Sequence, residues 1–260
     1  MQRWLLTGFL LVTTPFGLLY SQTNTLGQFW NELSFSRAAF KKSALELDLG
    51  QSWTGTPDHK SMFAENAQIY VRGWVHYYYS SRWKFSFFLA YYSNKDVPEI
   101  KQNKAPEIRP AVQAMYFFKK IPYTLNTRVR LEDRNIKTDS GGYETTIRLR
   151  TQLRCIYPIN DKIIGAGTIY GIASDELMFK TGTNVAGSQF FDRNRFTIGC
   201  GYSITSDIQV EVTYVNEYLP RSSVDELYNV LQVNINFINL FANLKNTIFK
   251  KSSEPAPSQD

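Results

Sequence analysis

Between Asn126 and Arg154 the chain alternates. Arg128, Arg130, Glu132 and Arg134 fall on one side of an extended backbone, and Val129 and Leu131 on the other. The pattern repeats with Arg148, Arg150, Gln152 and Arg154 against Ile147, Leu149 and Leu153. Successive side chains of a strand point to opposite faces, so each segment has one aliphatic and one cationic face. The turn-forming run Asp139-Ser140-Gly141-Gly142 joins them into a hairpin.

The same period-two pattern predicts further strands over Phe29–Phe35, Ala44–Trp53, Gln68–Tyr78, Trp83–Tyr91 and Glu107–Phe118 before this hairpin. After it come Ile163–Ala173, Arg193–Tyr202, Ile208–Tyr218 and Val230–Ile238, with Leu240–Lys251 a weaker candidate. Asp175–Gln189 reads as the longest irregular segment, and Pro110 as a kink or bulge. No segment of the mature chain has a convincing helical period, so the fold class is all-β. Connections after odd-numbered strands read as short, and those after even-numbered strands as longer and more polar. That rhythm fits an antiparallel up-and-down transmembrane β-barrel with short periplasmic turns and longer outer loops. Strands two to eleven make ten, with both ends on the periplasmic side, and leave the first strand over. Pairing it with Leu240–Phe249 would give twelve. Twelve is favoured, because an open strand edge cannot face lipid.

Composition sharpens the picture. Tyrosine and phenylalanine supply 34 of 260 residues, and many fall near strand ends, where a membrane barrel carries aromatic girdles. Beyond the N-terminus no run of 18 apolar residues exists, which excludes a spanning helix. The N-terminus itself reads as a signal peptide over residues 1–21, with Arg3, an apolar Trp4–Leu19 and a small residue at Ser21. Residues 22–251 would then form an outer-membrane barrel, and 252–260 a disordered polar tail. Cys155 and Cys200 lie on apolar faces with a whole strand between them, too far apart for a disulfide.

If the aliphatic faces meet lipid, the polar faces line the lumen. The candidate network there is Glu107, Arg109, Arg128, Arg130, Glu132, Arg134, Arg148, Arg150, Arg154, Arg193, Arg195 and Glu211. Its simplest role is architectural, since small barrels fill their interiors and arginine forks bind carboxylates in pairs. A cationic lumen would also attract small anionic solutes. A second reading is an outer-membrane enzyme acting on lipid or lipopolysaccharide, with His76 as base and Ser86 on the neighbouring strand as nucleophile. A third is a soluble periplasmic β-sandwich binding protein. Two cysteines and two histidines without ligand spacing argue against zinc. Gly165-x-Gly167 lacks a following helix, so no phosphate loop or other cofactor is expected. Basic residues confined to one strand face of an exported chain do not suit nucleic acid. The expected partners are outer-membrane lipids and a small anion, and the expected state is a monomer.

Several short landmarks resemble an outer-membrane family catalogued as domain of unknown function 2490. They are Trp30–Leu33, Glu107-Ile108-Arg109, Arg128–Arg134, Arg148 with Arg150, and Phe191-Asp192-Arg193-Asn194-Arg195. The resemblance covers essentially the whole mature chain. It implies an outer-membrane β-barrel of a Gram-negative bacterium and carries over no catalytic residue.

Overall fold

A computed structural model describes residues 23–100, 102–119, 123–184, 186–221 and 224–239. The expected signal segment, the weak strand candidate at 240–251 and the polar tail lie outside these residues. Eleven strands form one closed barrel. They are β1 (Thr23–Phe40), β2 (Ser43–Thr54), β3 (Glu65–Tyr78), β4 (Trp83–Asn94), β5 (Pro106–Lys119) and β6 (Thr124–Lys137). They continue as β7 (Tyr143–Pro158), β8 (Ile169–Lys180), β9 (Phe191–Ser203), β10 (Ile208–Leu219) and β11 (Asp225–Ile238). Each strand pairs antiparallel with its sequence neighbours.

The count corrects the expectation of twelve, or alternatively ten. Neighbouring strands of an up-and-down barrel alternate in direction, so an odd number leaves the first and last running the same way. β1 accordingly pairs parallel with β11, from Thr23 opposite Asp225 to Ser36 opposite Ile238. Its other edge pairs antiparallel with β2. Both edges are thereby used, which meets the demand that led to twelve. Parallel pairing is slightly weaker per residue, and here fourteen consecutive pairs carry it.

Two further expectations change. The eighth strand begins six residues later than predicted and continues through Asp175–Lys180, the start of the segment read as irregular. Gly165 and Gly167 belong to the preceding loop, where Gly167 takes φ +80°, a backbone conformation that favours glycine. The connection after β7 is therefore a ten-residue loop at 159–168 rather than a short turn. Pro110 sits opposite Leu89, and pairing of β5 to β6 resumes in the same register on either side of it, so it makes no bulge.

Burial follows the alternation. On β8, Tyr170, Ile172, Ser174, Glu176, Met178 and Lys180 are buried inside the barrel. Outward rows are apolar and exposed: Leu45, Leu47 and Leu49 on β2, and Phe85, Phe87, Leu89 and Tyr91 on β4. A water-soluble sandwich would bury one such face, whereas here the apolar surface covers the outside of the wall, far beyond the patch a soluble monomer tolerates. Tyr77, Trp83, Tyr157 and Tyr202 ring the end that carries the 41–42, 79–82 and 204–207 turns, hereafter the hairpin end. The outward row of β8 has one acidic interruption: Asp175 points outward between Ala173 and Leu177 and accepts a hydrogen bond from Asn194 Nδ2 at 2.7 Å. Cys155 is half-buried, Cys200 is exposed on the outer face, and neither is in a disulfide.

Inside, aromatics lie across glycines. A Cβ on Gly50 would fall 2.2 Å from the Tyr70 ring, and one on Gly201 2.2 Å from the Tyr170 ring. Trp74, Phe88, Ala90, Tyr92 and Ala111 form one buried apolar cluster beneath β3–β5. Leu26, Val215, Leu219, Tyr228 and Val230 form another beside the parallel seam. These clusters hold the strands on which the charged interior is built.

Candidate functional site: a charged barrel interior

The inward rows of β5–β10 meet across the barrel. Glu132 is fully buried, and four arginines approach it. Arg148 donates to Oε2 from Nε at 2.8 Å and from Nη2 at 2.6 Å. Arg150 Nη1 donates to Oε1 at 2.9 Å, Arg130 Nη1 lies 3.4 Å from the same oxygen, and Arg109 Nη1 is 3.7 Å from Oε2. Glu107, also fully buried, accepts Arg109 Nε at 2.5 Å and both Nε and Nη2 of Arg134 at 2.9 and 2.8 Å. A carboxylate has about four lone-pair sites, and such forked contacts fill them.

Three more carboxylates extend the network. Glu176 binds Arg150 through both oxygens at 2.9 and 2.7 Å, and pairs with Arg128 and Arg195. Asp192 meets Arg148, Lys180 and Arg193 at 3.3, 3.5 and 3.2 Å. Glu217 takes Arg193 Nη1 at 2.8 Å and Arg195 Nη2 at 2.5 Å. Nine cationic side chains thus share five carboxylates. On the opposite wall Arg72 pairs with Glu32 and Asp48, each at 2.7 Å, and nearer the hairpin end Arg154 of β7 pairs with Glu211 of β10 at 3.2 Å. With these included, eleven cations face eight carboxylates. Aromatic faces cover some of the excess: Arg109 lies 3.9 Å over the Tyr92 ring, and Arg195 4.7 Å over Trp30.

All twelve residues singled out from the sequence take part in these contacts. Arg154 and Glu211 form a pair of their own. Glu176, Lys180, Asp192 and Glu217 belong to the network but were not among the twelve. Glu176 and Lys180 lie in the segment read partly as loop, although Ser174, Glu176, Met178 and Lys180 alternate with Leu177 and Phe179 as the other strands do. Asp192 sits beside a register shift between β8 and β9, and simple alternation does not place it inward.

A cavity of about 1570 Å³ opens beside this network. Residues 138–140, 184 and 186–187 line its mouth at the end opposite the hairpins, and Arg154, Glu211, Thr213 and Asn234 line its depth. None of the 41–42, 79–82 or 204–207 turns contributes to it. His76 and Ser86 lie outside it. Ser86 Oγ is 2.8 Å from His76 Nδ1, and His76 Nε2 is 3.5 Å from Glu46 Oε2. Both are buried, and the imidazole stacks on Trp74 at 5.3 Å. Among the described residues no cluster of three or more metal-ligating side chains occurs.

The fold resembles solved outer-membrane barrels. One is LpxR from Salmonella typhimurium, at 6% identity and TM-score 0.51, with 79% of this chain and 86% of that one covered. Two others are a NanC porin, at 14% identity, TM-score 0.47 and coverage of 82% and 97%, and a bacterial polysaccharide outer membrane secretin, at 11% and 0.48. The match to the secretin covers 78% of this chain and spans 64% of the secretin's length. No curated protein matches the sequence. At such identities the likeness is one of fold alone. The family model described as a protein of unknown function, DUF2490, matches residues 27–228, and the chain belongs to that family.

Proposed function

We propose that this chain is an outer-membrane barrel that admits small anionic solutes through its arginine-rich interior. The observation that carries the reading is the charge imbalance: thirteen cations against nine carboxylates line one cavity. A purely structural network gains most when charges balance, because each uncompensated buried charge costs free energy. A cavity of one sign, with low-dielectric walls, focuses its field and concentrates counter-ions. The apolar outer surface and aromatic ends support a place in the outer membrane. Liposome swelling tests the reading. Vesicles carrying the barrel should admit a small sugar acid faster than a neutral sugar of equal size. Equal rates, or none above protein-free vesicles, would contradict it.

The Ser86–His76 contact supports a second reading, an ester hydrolase acting on envelope lipid. Burial of both groups and their separation from the cavity weigh against it, since a nucleophile needs space for its substrate. His76→Ala is expected to restore the lipid profile of a deletion strain as fully as the wild type does. Failure of H76A to do so, with the barrel present at normal levels, would revive the enzyme.

A further inference from the structure

Four buried polar atoms without a hydrogen-bond partner gather at the deep end of the cavity: Arg128 Nε, Arg154 Nε, Asn126 Oδ1 and Thr213 Oγ1. The strand register explains why they meet. Asn126 on β6 lies directly opposite Arg154 on β7, and Arg128 is its next inward neighbour, one diagonal step from Arg154. Glu211, which holds Arg154 from β10, is the inward neighbour of Thr213. Arg128, Arg154 and Thr213 all line the cavity. Leaving such groups unpaired is costly, and two of them are N–H donors of cations.

We propose that this cluster is an oxyanion subsite, which takes a carboxylate or phosphate carried by a small soluble molecule. The proposal rests on the anion reading above and gives it a location. Arg128 spends one terminal nitrogen on Glu176, and Arg154 one on Glu211. Each guanidinium therefore keeps donors for a further acceptor. An oxygen between them would receive charge-assisted bonds from two strands. Thr213 offers a hydroxyl on the far side. The Asn126 amide presents either its oxygen or its NH₂, since the two orientations fit the same space. Arg154 keeps 31% of its side chain accessible against 13% for Arg128, so it is the more open of the two to a solute that reaches the deep end. The cavity opens to water at its loop end rather than through the lipid-facing wall, which favours a dissolved molecule over a membrane lipid as the source.

Calorimetric titration of the purified, detergent-solubilised barrel with inorganic phosphate, and separately with acetate, tests the subsite at low ionic strength. Saturable binding near one per barrel is expected for at least one of the two. Arg154→Gln should weaken it at least tenfold, and Lys42→Gln, which removes a positive charge from a hairpin turn, should leave it unchanged. Heat-shifted gel mobility checks that each variant is folded. R154Q serves as the principal variant because its side chain is outside the most buried part of the network. No saturable binding by the folded wild type, or binding unchanged in R154Q, would show that water fills the cluster and overturn the subsite. Swelling that still favours the sugar acid in that case would leave the anion reading standing.

Discussion

Glu132→Ala is expected to cost the barrel most of its stability. Removing this carboxylate leaves four guanidiniums converging on a fully buried space. Breaking one buried ion pair by deleting a partner costs about 3–5 kcal/mol. Glu132 serves as acceptor for Arg148 at 2.6 Å and Arg150 at 2.9 Å, so E132A should lie at or above the upper end. Glu132→Gln keeps the volume and loses the charge, and should fall between the two proteins. The contrast is Glu226, which pairs with Arg221 at 2.9 Å in a partly exposed setting. Glu226→Ala should cost roughly 0–1 kcal/mol. The midpoint of urea unfolding in detergent, followed by gel mobility, separates these cases. Equal midpoints for E132A and E226A would remove the network from its place at the centre of the interior.

The second large effect concerns the outer wall. Leu89→Arg should destabilise the barrel in a bilayer by about 2–4 kcal/mol, the cost of a cation on the lipid face of a barrel near the membrane midplane. Leu89 is 54% exposed, lies mid-strand, and faces Gly73 and Pro110 across the neighbouring strands. Phe63 is exposed to a similar degree, 53%, but belongs to a loop. Phe63→Arg loses only a ring contact with Phe29 at 4.8 Å, and should cost about 0.5–1.5 kcal/mol. Folding titrations in lipid vesicles give both values. If L89R were as mild as F63R, the wall would face water, and the outer-membrane placement of the barrel would fall.

The two arginine strands were legible because their alternation is strict. Arg128–Arg134 and Arg148–Arg154 face inward as the pattern requires, with Leu131 and Leu149 outward. Which carboxylates they would meet was only partly legible. Glu107 and Glu132 interleave with arginines on their own strands, but Glu176 and Glu217 arrive from β8 and β10 through the register. Register depends on loop geometry, and residues 163–168 of the loop before β8 were read as strand. The strand count failed for a topological reason. Antiparallel neighbours are the default for local connections, whereas the β1–β11 pair joins chain positions about two hundred residues apart. Nothing in Phe29–Phe35 or Val230–Ile238 marks either segment as a parallel partner. The cavity was the least legible feature. It depends on how far each long side chain leans toward its acceptor, and an inward arginine looks the same in a sequence whether it fills the lumen or borders a space.

The reversal potential of single barrels in a planar bilayer tests the central claim most directly. With a tenfold potassium chloride gradient, an interior carrying excess positive charge should give a reversal potential of the sign set by chloride, and Arg154→Gln should move it toward zero. A potential of the potassium sign in the wild type, or no conductance at any voltage, would contradict anion passage through this interior.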